Sequence, residues 1–174
     1  LNKILDTGVR VLKIEEMARS PEYVKTTVSC YNEALNAIIE NSYNEEIIKK
    51  WQSRLSRVFN RGFWDGYYLG QRVGEWSHEY GSQAIEKKVY CGKGTNYYDK
   101  INVAEFLIEA SDLHLGDEVY LIGPTTGVHR FTIQELRVDH EPVKKARKGE
   151  KCSVPLDFPI RRSDKLYRIT KKAK

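Results

Sequence analysis

The sequence is short of cysteine, with three in 174 residues, and none belongs to a CxxC pair. Cys30, Cys91 and Cys152 are too few and too scattered for a disulfide framework or a self-contained zinc or cluster site. They read as reduced, mostly buried thiols, and the cytoplasm is the expected compartment. His78, His114, His129 and His140 show no metal-ligand spacing, so no metal site is expected in this chain. No apolar run approaches the roughly 20 residues that a bilayer span needs, and no signal peptide opens the chain, so no membrane partner is expected. Methionine occurs once, at Met17, and the first residue is Leu1; the chain is expected to be a piece of a longer protein. GxSxG, HExxH, GxxxxGK[ST] and GxGxxG are all missing, which removes the commonest hydrolase, metalloprotease and nucleotide signatures. Gly92-Lys93-Gly94-Thr95 is too short for a phosphate loop and reads as a turn between strands.

What is present is folded composition: 40% hydrophobic and 30% charged, long enough for one good core or two small ones. The net charge of +5 is uneven. Residues 140–174 hold twelve Lys and Arg against four Asp and Glu, so the excess basicity sits in the last fifth of the chain. Such a face attracts phosphates or an acidic partner surface.

One stretch organises the chain. Val58–Gly70 packs Phe59, Phe63, Trp64, Tyr67 and Tyr68 among three glycines, with Arg61 and Asp65 between them. Rings gain most when buried, and glycines permit sharp turns or close approach. The stretch is either a buried hinge welding two subdomains or an aromatic platform with Arg61 as anion anchor.

Ahead of it, Val9–Glu15 alternates and is β-branched, which predicts a strand after a Thr7-Gly8 turn. Ser20, Pro21 and Glu22 mark the start of a helix whose stripe would be Val24, Val28, Tyr31, Leu35 and Ile38, with Cys30 and Ala34 near its edge. Asn44 caps a second helix that buries Ile47, Ile48, Trp51, Leu55 and Val58 and turns out Lys49, Lys50, Arg54 and Arg57. After a polar linker the period becomes two. Strands are predicted at 87–91, 103–109, 118–122 and 129–138, a short one before Lys148, and others around Ser153–Leu156 and Leu166-Tyr167. Short strands at regular spacing with Gly-Asp turns predict a small closed or nearly closed β-barrel.

Three separated motifs carry a resemblance: Leu12–Glu15, then Arg19–Val24, then Asn60–Phe63 with Gly66–Gly70. In order and spacing they resemble peptidase family U32, the collagenase-like proteases, over essentially the whole chain. The resemblance implies an α+β chain: an N-terminal strand and helical hairpin ending a missing βα barrel, then an antiparallel β-barrel similar to the second domain of elongation factor Tu. Its expected domains are residues 1–70 for the end of that barrel and the connecting motif, 71–84 as linker, 85–170 for the β-barrel, and 171–174 as a basic tail. The family commonly reads K-I-E-G-R at the strand end, whereas Glu16 and Met17 stand here for the glycine and arginine. That replacement puts in doubt any function resting on a bidentate anion contact by the arginine.

The family implies a peptidase, with relatives linked to hydroxylation of RNA bases, some carrying an iron–sulfur cluster. No cofactor is expected in this chain; a cluster would belong to the missing N-terminal part. Expected partners are that βα barrel, and tRNA, rRNA or a polypeptide substrate. Lys13 and Glu15 are the weak catalytic candidates, because strand ends of βα barrels carry active-site groups. The nucleic-acid candidates are Arg61, Lys144, Lys145, Arg147, Lys148, Arg161, Arg162 and Lys165. Three readings follow: an inactive C-terminal portion of a U32 peptidase that supports its catalytic part and presents substrate, an RNA-binding module, and a purely structural barrel.

Overall fold

The structure, a computed structural model, describes residues 1–15, 17–63 and 81–171. The chain divides into two compact units, Leu1–Ile85 and Glu86–Lys174. The first contains helices α1 (Asn2–Asp6), α2 (Pro21–Ile39) and α3 (Glu45–Arg57). Pro21 opens α2, where a missing N–H costs nothing, and Glu22 sits in the first turn. The Ser20 side chain makes no cap hydrogen bond. In α3 the Asn44 side chain does cap, accepting the Ile47 N–H at 3.0 Å. Glu45 and Glu46 then lie at the positive end of the helix, and Arg54 and Arg57 at the negative end.

These helices pack through Cys30, Ala34 and Ala37 on α2 and Trp51 on α3, with Ile47, Ile48 and Leu55 alongside. Small groups on α2 leave room for the indole. Its Nε1–H donates to Glu33 Oε2 at 2.9 Å, and Arg54 donates to the same oxygen at 2.5 Å. The hydrogen bond from Arg54 holds the Glu33 carboxyl below its usual range. The expected stripe is therefore corrected. Thr27, Cys30, Ala34 and Ala37 are buried, while Val28 and Tyr31 are 49% and 41% exposed. The packed face lies one position back, about 100° round the helix, where small side chains allow close approach. The stretch Val9–Glu15 is expected to pair with strands of a βα barrel that lie outside this chain. It forms no strand among the described residues, and Val11 is 82% exposed. Alternation alone cannot make a strand when no ladder satisfies its backbone.

Among its described residues the second unit holds ten strands: β1 (Glu86–Tyr98), β2 (Val103–Ile108), β3 (Leu113–His114), β4 (Glu118–Gly123), β5 (Gly127–Thr132), β6 (Arg137–Val138), β7 (Glu141–Pro142), β8 (Lys145–Ala146), β9 (Lys151–Pro155) and β10 (Lys165–Lys171). Eight form an antiparallel sheet in the order β5-β4-β10-β1-β2-β9-β6-β7, and β3 pairs with β8. On β2, Ala104, Phe106 and Ile108 are fully buried while their neighbours are half-exposed, the period two expected of a half-buried strand. They join Cys91, Leu113, Val119, Leu121, Ile133, Leu136, Val154 and Leu166 in one core.

Gly92-Lys93-Gly94, expected to be a turn, lies inside β1. That strand pairs with β10 in its first part and β2 in its second, its register slipping between Tyr90 and Gly92 and between Gly94 and Asn96. A Cβ at Gly92 would stand 2.0 Å from the Leu107 carbonyl oxygen, so glycine here serves close approach. The predicted strand 129–138 is split, because Ile133 and Leu136 turn into the core between β5 and β6. Of the predicted closed or nearly closed barrel, the antiparallel sheet is present and closure is not. The described sheet ends at β5 and β7, and no ladder joins them. Closure needs a staggered ladder between the end strands. Here β6 and β7 are two residues each, and Pro142 has no N–H to donate. The chain is thus α+β, with a few helices followed by a large open antiparallel sheet. Most of the expected linker and the ring-rich end of Val58–Gly70 lie outside the described residues. Among those described, no helix is long and apolar enough to cross a membrane.

Candidate functional site

The loop joining β9 to β10 is pinned on both sides of the two arginines it turns outward. Leu156 and Ile160 are buried beneath it, leaving Arg161 and Arg162 exposed. Asp164, 1% exposed, fixes its far end. One carboxylate oxygen accepts the Thr126 hydroxyl at 2.6 Å and the Arg161 N–H at 2.8 Å. The backbone joins in: Gly94 N–H donates to the Asp164 carbonyl and Ser163 N–H to the Gly94 carbonyl. A buried carboxylate is tolerable only with such donors. Space is tight enough to exclude side chains at two glycines. A Cβ at Gly123 would lie 1.8 Å from Asp164 Oδ1, and one at Gly94 would lie 2.9 Å from the Arg161 carbonyl oxygen.

Beside this loop the His129 ring stacks on Phe158, with centroids 3.9 Å apart and planes 13° from parallel. Phe131 meets Phe158 edge-on at 5.7 Å. His129 Nε2 sits 3.0 Å from the Thr126 carbonyl oxygen, which assigns it the proton in the neutral ring. Two adjoining hollows result. One, about 580 Å³, is lined by Tyr97, Thr126, His129, Phe158, Arg161 and Arg162 among others. The other, about 410 Å³, is lined by residues including Lys93, Thr95, Glu105, Lys151 and Arg162. Asn96 and Arg162 belong to both, so the two form one groove.

The charges along it differ in their freedom. Lys93 is paired with Glu109 at 2.7 Å and Lys151 with Glu105 at 3.3 Å. The Thr95 hydroxyl and Lys151 hold the Glu105 carboxyl below its usual range. Arg161 and Arg162 have no ion pair among the described residues. The arrangement can receive an anion at the arginines and a flat group beside the ring pair; it shows no nucleophile with a base.

The other sequence candidates fall elsewhere. Lys144, Lys145, Arg147 and Lys148 lie around β8, where Asp112 takes Lys145 at 2.6 Å and the Lys148 N–H at 3.2 Å. The Glu150 carboxylate accepts the Arg147 N–H. Lys165 is exposed at the start of β10, opposite Lys93. Arg61 belongs to the first unit and is exposed, following Asn60, whose side chain accepts the Gly62 N–H. Lys13 and Glu15 pair with each other at 2.5 Å in open solvent, 81% and 71% exposed. Sequence reasoning brought out Arg161 and Arg162 but missed Phe158, His129, Thr126 and Asp164 as their setting. The Phe-Pro step just ahead of Arg-Arg-Ser-Asp is the local signal that could have found the loop.

The cysteines offer no chemistry. All three are buried, and burial pushes their thiols up, that of Cys152 to about 12. Cys91 and Cys152 are enclosed in the core of one unit and Cys30 in the other, so they do not fit an iron–sulfur cluster. Among the described residues no group of His, Cys, Asp and Glu is placed to hold a metal.

The sequence model of peptidase family U32 matches residues 1–78. The chain is 53% identical over 172 residues to a Porphyromonas gingivalis protein named "Collagenase", covering 99% of this chain and 42% of that protein. It is 29% identical over 135 residues to "tRNA hydroxylation protein P1" of Bacillus subtilis, covering 77% of this chain and 32% of that protein. A crystallised C-terminal domain assigned to the U32 peptidases, from Geobacillus thermoleovorans, superposes with a TM-score of 0.43 at 16% identity. That superposition covers 45% of this chain and 90% of the domain. The chain spans less than half the length of the curated relatives it matches. By the family match and by whole-chain identity, the chain belongs to peptidase family U32.

Proposed function

We propose that this chain is the C-terminal portion of a collagenase-like U32 protein, and that the strand-rich unit holds substrate while bond cleavage is done elsewhere in the protein. One observation carries this reading: Arg161 and Arg162, which have no ion pair among the described residues, stand on a loop locked by Asp164 beside a stacked ring pair. A fixed loop presents charge with little ordering cost on binding. The reading takes the cytoplasm as compartment, on the three free thiols, and a βα barrel of the same protein as partner. The test uses the full-length protein that contains this chain, with denatured collagen as substrate. Replacing both arginines by alanine is expected to raise KM several-fold and leave kcat within about twofold, the mark of lost uniform binding. Turnover by the chain alone, or a fall in kcat at unchanged KM, overturns the reading.

A second reading makes the chain the non-catalytic RNA-binding module of a protein that acts on tRNA or rRNA. The relative named for tRNA hydroxylation favours it, as do the exposed cations of residues 144–165. Binding that weakens steeply with salt is its signature.

A further inference from the structure

Resting on the RNA reading, we infer that the groove beside the β9–β10 loop is a subsite for single-stranded RNA, with phosphate taken by Arg161 and Arg162 and a base laid against the His129–Phe158 pair. Three features select that ligand over a generic anion. First, the anion contacts adjoin a ring stack. His129 and Phe158 lie nearly parallel at 3.9 Å, and both line the same hollow as the arginines. Phosphate with an aromatic surface beside it is what a nucleotide in a single strand requires, whereas bases stacked inside a duplex have no free face to offer.

Second, the groove is larger than one phosphate. Hollows of about 580 and 410 Å³ meet at Asn96 and Arg162. The second is lined by Ser163 and by Thr95 and Lys151, which Glu105 in the same wall engages, and a backbone extending beyond one nucleotide would compete with that carboxylate for Lys151. Third, the site is built before any ligand arrives. Asp164 ties the Arg161 backbone to Thr126, and the Thr126 carbonyl holds His129. One buried carboxylate therefore sets both the cation wall and the ring wall. Asp164 is a positioning residue in this scheme and makes no contact with RNA.

The experiment measures fluorescence anisotropy of a labelled 12-nucleotide single-stranded RNA with the chain Leu1–Lys174, across a range of salt. Replacing Arg161 and Arg162 by alanine is expected to weaken binding about tenfold or more and to lower the salt slope by between one and two. Phe158→Leu keeps an apolar group against Phe131 but removes the stacking ring. It is expected to weaken RNA binding about tenfold while the thermal midpoint moves little. A duplex of the same sequence should bind more weakly and ignore Phe158→Leu.

Two results overturn the subsite and leave the RNA reading standing. One is RNA binding unchanged by these variants but lost on Lys144→Glu with Lys148→Glu. The other is RNA binding that needs the arginines but not the ring, with polyglutamate held equally well, which makes the groove a general anion or acidic-peptide site. Absence of RNA binding at low salt overturns both the subsite and the reading beneath it.

Discussion

The two units bury apolar side chains in opposite ways. In the strand-rich unit the large groups close on one another: Phe106, Ile108, Leu113, Leu121, Ile133 and Leu166 are fully enclosed. In the helical unit the buried apolar groups are mostly small (Cys30, Ala34, Ala37, Val58 and Ala84) with one indole, while Val11, Met17, Val28 and Ile39 face outward. Polar arrangements follow the same division. Asp164 and its donors are internal to the strand-rich unit. Arg130 there reaches Glu86 on β1 and Glu118 on β4. Burial works against its charge, yet those carboxylates hold the guanidinium above its usual value. A unit that closes its own core and ties Asp164 and Arg130 internally can carry a preformed groove. The helical unit shows no such closure among its described residues.

The sharpest way to break that contrast is Phe106→Ala. The side chain is 0% exposed on the central run of β2, so its loss leaves a cavity within an otherwise filled core. A cost of about 3–5 kcal/mol is expected, comparable with the whole stability of a small domain. Urea unfolding followed by near-ultraviolet circular dichroism reads it. A loss below about 1 kcal/mol would mean the sheet core is looser than its burial says.

Legibility in the sequence divides along the same line. Strand positions on β2 were readable because that strand buries its own alternate residues, so local pattern and tertiary outcome agree. The packed face of α2 was not, since large side chains attract the eye while the contact used small ones. Alternation at Val9–Glu15 signals a strand whose expected partners lie outside this chain, so no ladder forms on it here. Gly92-Lys93-Gly94 reads as a turn in isolation, and its true role depends on Leu107, a residue fifteen positions away in sequence. The two arginines were legible as charge. Their ring neighbours come from β5 and the β9–β10 loop, which no local pattern links.

A smaller effect should appear on the alkaline side. Cys152 is 1% exposed, and burial raises its thiol from 9.0 to about 12. The folded state therefore keeps the proton that the unfolded chain releases. Stability from this group is complete below pH 9 and is lost as pH climbs toward 12. The slope for one such thiol reaches about 1.4 kcal/mol per pH unit. Tyr90, raised from 10.0 to about 12 by burial and its bond to Glu109, adds to the loss only above pH 10. Cys152→Val should make the decline shallower from pH 9 to about 12, leaving the parts due to the other two buried thiols and, above pH 10, to Tyr90. An unchanged profile in the valine variant would exclude Cys152 as its origin.

The smallest expected effect sharpens the contrast most, because it changes an apolar group of core type at a site that buries little of it. Val28 on α2 is 49% exposed, though its spacing marked it for the core. Burial is worth about 25 cal/mol per Å² of apolar surface, so a half-exposed valine has little to lose. Serine also forms helix slightly better or about as well as valine, which offsets part of that loss. Val28→Ser in this chain should therefore stay within about 0.5 kcal/mol of the parent. The same substitution at Val119, 0% exposed on β4, removes two enclosed methyl groups and buries a hydroxyl, and about 2 kcal/mol or more is expected. Measured side by side by urea unfolding, the pair asks whether the α2 stripe is covered in solution. Equal losses at Val28 and Val119 would mean that it is covered, and the two units would then differ less than their burial shows.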